Sequence, residues 1–172
     1  HSGYIYSEAK IASVSISGSL VGGFSTSGAV RSDGDMGPVT LKGNLVGGTQ
    51  NGNNGNITSG GNIASVTIGG SIIGSAVVTF SDHVATVEAD GDIGTVKISG
   101  DVIGGADELS GGVFAGGKIA SVAISGSLRG GSGEKSGRIV SGGDMGSVTI
   151  VRDIVGGSGQ DSGTVVSGGK MT

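Results

Sequence analysis

The chain has no cysteine, no tryptophan and a single proline, Pro38, among its 172 residues. Without cysteine, neither a disulfide framework nor a thiolate metal site is available, although the absence does not fix the compartment. Aromatic side chains amount to 3% of residues, confined to Tyr4, Tyr6, Phe24, Phe80 and Phe114. The aromatic lining common in sugar-binding grooves is therefore not evident. Charge is sparse too: ten basic and fourteen acidic residues are scattered singly, for a net charge of -4. No basic stripe for nucleic acid exists. No apolar run approaches the roughly 18 residues of a membrane span, and the start, at His1, carries no signal-peptide pattern.

Glycine is the opposite case, at 40 residues. Without a period that level would read as low complexity, and the three-residue collagen period is missing. Instead the glycines recur at fixed places in a segment written six times. The copies are KIASVSISGSLVGG from Lys10, DMGPVTLKGNLVGG from Asp35, NIASVTIGGSIIGS from Asn62, DIGTVKISGDVIGG from Asp92, KIASVAISGSLRGG from Lys118 and DMGSVTIVRDIVGG from Asp144. A seventh begins at Lys170-Met171-Thr172. The starts lie 25, 27, 30, 26, 26 and 26 residues apart. A fixed period of this size marks a solenoid, whose repeats bury their apolar faces only against each other.

Within each copy, apolar residues alternate with period two, the signal of a strand. Val14, Val39, Val66, Val96, Val122 and Val148 form one inward column, and Ile16, Leu41, Ile68, Ile98, Ile124 and Ile150 another. Between them, Ser15, Thr40, Thr67, Lys97, Ala123 and Thr149 face outward. Further inward columns run from Leu20 to Ile154, from Ile5 to Val165 and from Ile11 to Met171. Gly-Gly pairs such as Gly22-Gly23 and Gly104-Gly105 suit bends that need positive φ or close backbone approach. β-Branched residues and glycine are poor helix formers throughout.

Each repeat thus predicts three short strands per coil, joined by glycine corners. The expected fold is all-β, a right-handed parallel β-helix (β-solenoid) with about 26 residues per coil, the hand following the general rule for parallel crossovers. Residues 1–172 are expected to be one solenoid domain of about six and a half coils, roughly 30 Å long at ~4.8 Å per coil. Both ends fall inside a repeat, so a longer solenoid or a polymer is expected. Insertions are confined to one corner, at Thr49 to Asn56, Ser75 to Thr86 and Ala106 to Ser110.

The core G-[DNK]-[IM]-[AG]-[ST]-V-x-[IL] with its downstream Gly-Gly resembles the glycine-rich parallel β-helix repeats of large bacterial surface and secreted proteins, the adhesin and autotransporter-passenger type. The resemblance covers nearly the whole chain. It implies an extracellular or cell-surface, elongated, non-enzymatic module, and no family functional residue carries across to this sequence.

Candidate sites are few. Asp33-Gly34-Asp35 and Asp90-Gly91-Asp92 occupy one corner in two coils, so Asp33, Asp35, Asp90 and Asp92 are weak calcium candidates. Calcium takes six to eight oxygens, and the calcium nonapeptide pattern does not match. Asp101 and Asp153 read as turn residues. His83, beside Asp82 in the longest loop, reads as a loop histidine. Hydroxyl pairs flanking the valine column, such as Ser65 and Thr67, give a face like one kind of ice-binding surface, interrupted at Pro38, Lys97 and Ala123. Directly after the Leu20 column, Val21, Val46, Ile73, Ile103 and Val155 form an outward aliphatic row, the expected assembly surface. A second outward row drifts from Tyr6, Arg31, Thr58 and Glu88 to Phe114, Val140 and Val166.

The expected function is structural: a module of a fibre, sheath, surface layer or adhesin stalk. It would self-associate head to tail, because neither end carries a polar cap, and laterally through the aliphatic row. No catalytic residue, cofactor, nucleic acid or membrane insertion is expected. The alternative is a module that binds ice or a surface glycan, and a polysaccharide-active enzyme comes third.

Overall fold

The structure, a computed structural model, describes residues 2–24, 26–49, 54–77 and 83–172. Strands account for all its regular structure, and no helix occurs among the described residues. They form three parallel sheets in which every neighbour lies one coil away in sequence. The closing sheet has seven strands: Ser2–Ser7, Ser27–Ser32, Ile57–Ser59, Thr86–Ala89, Gly112–Ala115, Ile139–Ser141 and Val165–Ser167. The valine sheet has six: Val14–Ile16, Val39–Leu41, Ile63–Ile68, Ile93–Ile98, Ile119–Ile124 and Val148–Ile150. A third sheet of six two-residue strands runs from Leu20–Val21 to Ile154–Val155. The expected all-β solenoid, with three strands per coil, is the fold.

Register is set by identical columns. Val14 pairs with Val39, Val39 with Val66, Val66 with Val96, Val96 with Val122 and Val122 with Val148. The side chains of these columns fill one continuous core, and Val66, Ile68, Val96, Ile98 and Ile124 are fully shielded from solvent. Ladder residues in the outermost coils have a neighbour on one side only, and Ile5, Ile154 and Met171 are 43%, 59% and 51% exposed. Alternation breaks on the way into the valine column. Ile63 and Val66 are both buried, while Ala64 is exposed and Ser65 half-buried.

The corners are hydrogen-bonded from coil to coil as continuously as the strands. Gly70 donates to the Gly43 carbonyl at 3.0 Å, Gly100 to Gly70 at 2.8 Å and Gly126 to Gly100 at 3.0 Å. The Gly-Gly pairs correct part of the sequence expectation, because none of them has positive φ. They serve close approach instead: a Cβ on Gly131 would sit on the Gly105 carbonyl oxygen. Positive φ falls on other columns: Gly3, Gly28, Gly55, Ala85, Gly111, Gly137 and Gly163 at or just before the closing strands, and Leu109, Lys135 and Asp161 in the loops that lead to them.

A longer period emerges from this packing. Ala12, Ala64 and Ala120 alternate along the axis with Gly37, Gly94 and Gly146. A Cβ on Gly94 would overlap the Ala64 carbonyl oxygen, and Gly37 and Gly146 meet Ala12 and Ala120 in the same way. The corner residues alternate too: Asp35, Asp92 and Asp144 stand between Lys10, Asn62, Lys118 and Lys170. At these two columns the sequence therefore repeats every two coils.

Val122 is 1% exposed between Val96 and Val148 in its column, and Ala123 beside it points outward. Val122→Asp buries an unpaired carboxylate and is expected to cost several kcal/mol. Ala123→Asp is expected to stay within about 0.5 kcal/mol. Thermal melts of the two variants check this ranking, and the reverse order would place the chain one residue out of register.

Candidate functional site

Side chains on the outer face of the closing sheet stack in register, as those of the core do. Tyr6 pairs with Arg31, Arg31 with Thr58, Thr58 with Glu88, Glu88 with Phe114 and Phe114 with Val140. The row is thus polar at one end and apolar at the other. At the polar end the Tyr4 and Tyr6 rings stack at 5.8 Å between centroids, 13° from parallel. The Arg31 guanidinium lies 5.9 Å from the Tyr6 centroid. Both groups converge on Asp33: the Tyr6 hydroxyl donates to Oδ2 at 2.6 Å, and Arg31 donates from two nitrogens to Oδ1 at 3.0 and 3.2 Å.

The chain after the third sheet folds back over this face. Asn56 anchors it, donating from Nδ2 to the His83 carbonyl at 2.8 Å and accepting the Thr86 amide on Oδ1 at 3.2 Å. Val84 and Ala85 are fully buried there. His83 is thereby turned onto the sheet, with Nδ1 2.7 Å from Glu88 Oε1. The Thr86 hydroxyl donates to the same oxygen. The imidazole meets Phe114 edge to face at 6.3 Å. Between this fold-back and the sheet lies a cavity of about 280 Å³, lined by Tyr4, Arg31, Asn56, Thr58, His83 and Glu88 among others.

Electrostatically, Asp33 is held below the usual carboxylate range, first by the Tyr6 hydrogen bond and then by Arg31. The same Asp33 bond pushes the Tyr6 phenol above its ordinary value, and Asp33 raises Arg31 as well. The Asp33 ion pair is therefore present at neutral pH and is lost as pH falls through the depressed carboxyl value.

The sequence-derived aspartates have other partners. Asp35 Oδ1 accepts the Asn62 amide at 2.8 Å, Asn62 Oδ1 accepts the Asp92 amide at 2.8 Å, and Asp92 Oδ1 accepts the Lys118 amide at 2.8 Å. Each side chain caps the backbone of the next coil. A matching ladder at the next corner uses Ser19, Asn44, Ser71, Asp101 and Ser127. Asp35 and Asp92 are separated by the Asn62 coil, and Asp33 and Asp90 lie exposed at their outer edge. Among the described residues, no group of three or more histidine, aspartate or glutamate side chains is arranged to hold a metal.

The aliphatic row is graded. Val21 and Val155 are 55% and 40% exposed, whereas Val46, Ile73 and Ile103 are half-buried. Arg129 interrupts it and reaches Asp153 at 3.9 Å. The hydroxyl face lies on the valine sheet, with Ser121 donating to Thr95 at 3.3 Å. Phe24 is exposed at a loop. Phe80, Asp82 and the tips of the two longest loops lie outside the described residues. Sequence reasoning missed that Tyr4, Tyr6 and Phe114 share one face with the His83–Glu88 pair. The available signal was the outward row read together with Asn56, whose side chain ties the loop down. Compared with family models, curated proteins and solved structures, the chain matches none.

Two outcomes are expected. Asp92→Ala removes the acceptor for the Lys118 amide and is expected to cost about 1 kcal/mol. Asp92→Asn keeps an acceptor like that of Asn62 and is expected to melt with the wild type. Carboxyl and phenol titrations followed by nuclear magnetic resonance are expected to place Asp33 below about 3.9 and Tyr6 above about 10. In Asp33→Asn the Tyr6 midpoint is expected to move back toward the ordinary value.

Proposed function

We propose that this chain is a structural module, a section of rod within an extracellular fibre, sheath, surface layer or adhesin stalk. The observation that carries the reading is the unbroken run of ladders through all three sheets and their corners. Side chains of the core and of the Asp–Asn–Asp corner, and the backbone of the glycine corners, are committed to holding the next coil. A rod built this way resists stretching along its axis, because separating two coils must break a whole tier of hydrogen bonds.

Axial association is part of the same proposal. Ile5, Ile154 and Met171 expose ladder positions that a further coil would cover, whether from the same polypeptide or from a second copy. A head-to-tail contact that does not close on itself gives a filament. Val21 and Val155 supply the exposed part of an aliphatic row for lateral contact between rods.

Sedimentation velocity across micromolar concentrations, with electron micrographs of the same samples, tests the proposal. The expected result is elongated species that lengthen with concentration. Ile154→Lys, at a position already exposed in the single molecule, is expected to shorten or disperse them without lowering the melting temperature. Monomers of both proteins at every concentration would overturn the self-association.

A further inference from the structure

We infer that the cavity over the closing sheet binds one neutral sugar residue, a hexopyranose unit of a glycan. Its floor is the register row Arg31, Thr58 and Glu88, on three successive strands. At about 4.8 Å per strand the row spans about 10 Å, a distance that one pyranose ring with its hydroxyls bridges. Along it the chemistry runs from a planar set of donors, through a hydroxyl that both donates and accepts, to a carboxylate acceptor. Vicinal hydroxyls, each donor and acceptor at once, complement that order.

Both charged groups are held from behind. Arg31 is held by Asp33 at 3.0 Å. Glu88 Oε1 is taken up by His83 and Thr86, which leaves Oε2 as the acceptor on offer. These contacts fix the orientation of both planar groups before a ligand arrives, and the Glu88 carboxylate on the floor disfavours an anion. An uncharged polyhydroxyl ligand suits it better than an anion. A volume of about 280 Å³ lies at the small end of ligand cavities, about 300–1,000 Å³, enough for one sugar residue.

The inference is independent of the structural proposal, since a rod section can carry such a site or lack it. Saturation-transfer nuclear magnetic resonance tests it on the whole chain, using the methyl α-glycosides of glucose, mannose and galactose and, for contrast, methyl glucuronoside. Transfer to at least one neutral glycoside is expected, with weaker transfer to the glucuronoside. Thr58→Phe fills the cavity and Glu88→Ala removes the acceptor. Thr58→Phe, at an outward position, is expected to melt like the wild type, and Glu88→Ala to melt lower because the buried Thr86 hydroxyl loses its acceptor; below its melting temperature each is expected to lose about tenfold or more in affinity. Three results would each overturn the inference: no transfer to any neutral glycoside, binding that survives both substitutions, or a preference for the glucuronoside.

Discussion

Coil-to-coil hydrogen bonds run through the three sheets and on through the corners between them, so a given position meets its own equivalent one coil above and one below. Sheet interiors impose this on any parallel strand. Here the corners obey it too, through glycine amides and carbonyls at 2.8–3.0 Å. The consequence is a sequence written in columns. An inward column must hold a side chain that stacks on itself, hence valine, isoleucine and leucine. A corner column must hold a residue that clears the carbonyl below it or caps the amide above it, hence glycine, aspartate, asparagine and serine. The serine column at Ser32, Ser59, Ser141 and Ser167 follows the same rule, since all four hydroxyls donate to corner carbonyls.

This constraint explains which parts of the molecule were legible in the sequence. Val66, Ile68 and Ile72 announce their burial by spacing alone, because strand alternation is a local property. The Gly-Gly pairs were harder to read. Glycine marks both a left-handed backbone and a tight approach, and spacing does not distinguish the two. Positive φ turned out to lie at Gly28 and its equivalents, one of which is Ala85. The Asp35–Asn62–Asp92 ladder was harder still. A lone Asp-Gly suggests a solvated turn or a ligand, and only the coil-to-coil geometry shows the carboxylate bonded to the backbone of the next repeat.

The cavity was legible only in its floor, for a physical reason. Its floor comes from a column, but its wall comes from a departure from the repeat. The insertion before Thr86 brings His83 back over Glu88, and Asn56, 27 residues earlier, holds it there through a side-chain contact. The repeat supplies a regular outer face and one irregular loop turns part of it into an enclosed, polar space. Most of the molecule is thus devoted to self-stacking, and the chemistry concentrates where stacking is interrupted.

Amide hydrogen exchange resolved by residue tests the central claim, that the coil is the unit of stability, most directly. If coil-to-coil stacking governs, protection depends on position along the axis. The three strands of one coil, such as Thr86–Ala89, Ile93–Ile98 and Val102–Ile103, then open together. Exchange that instead differs by sheet, with one sheet protected along its whole length and another open throughout, would contradict the account.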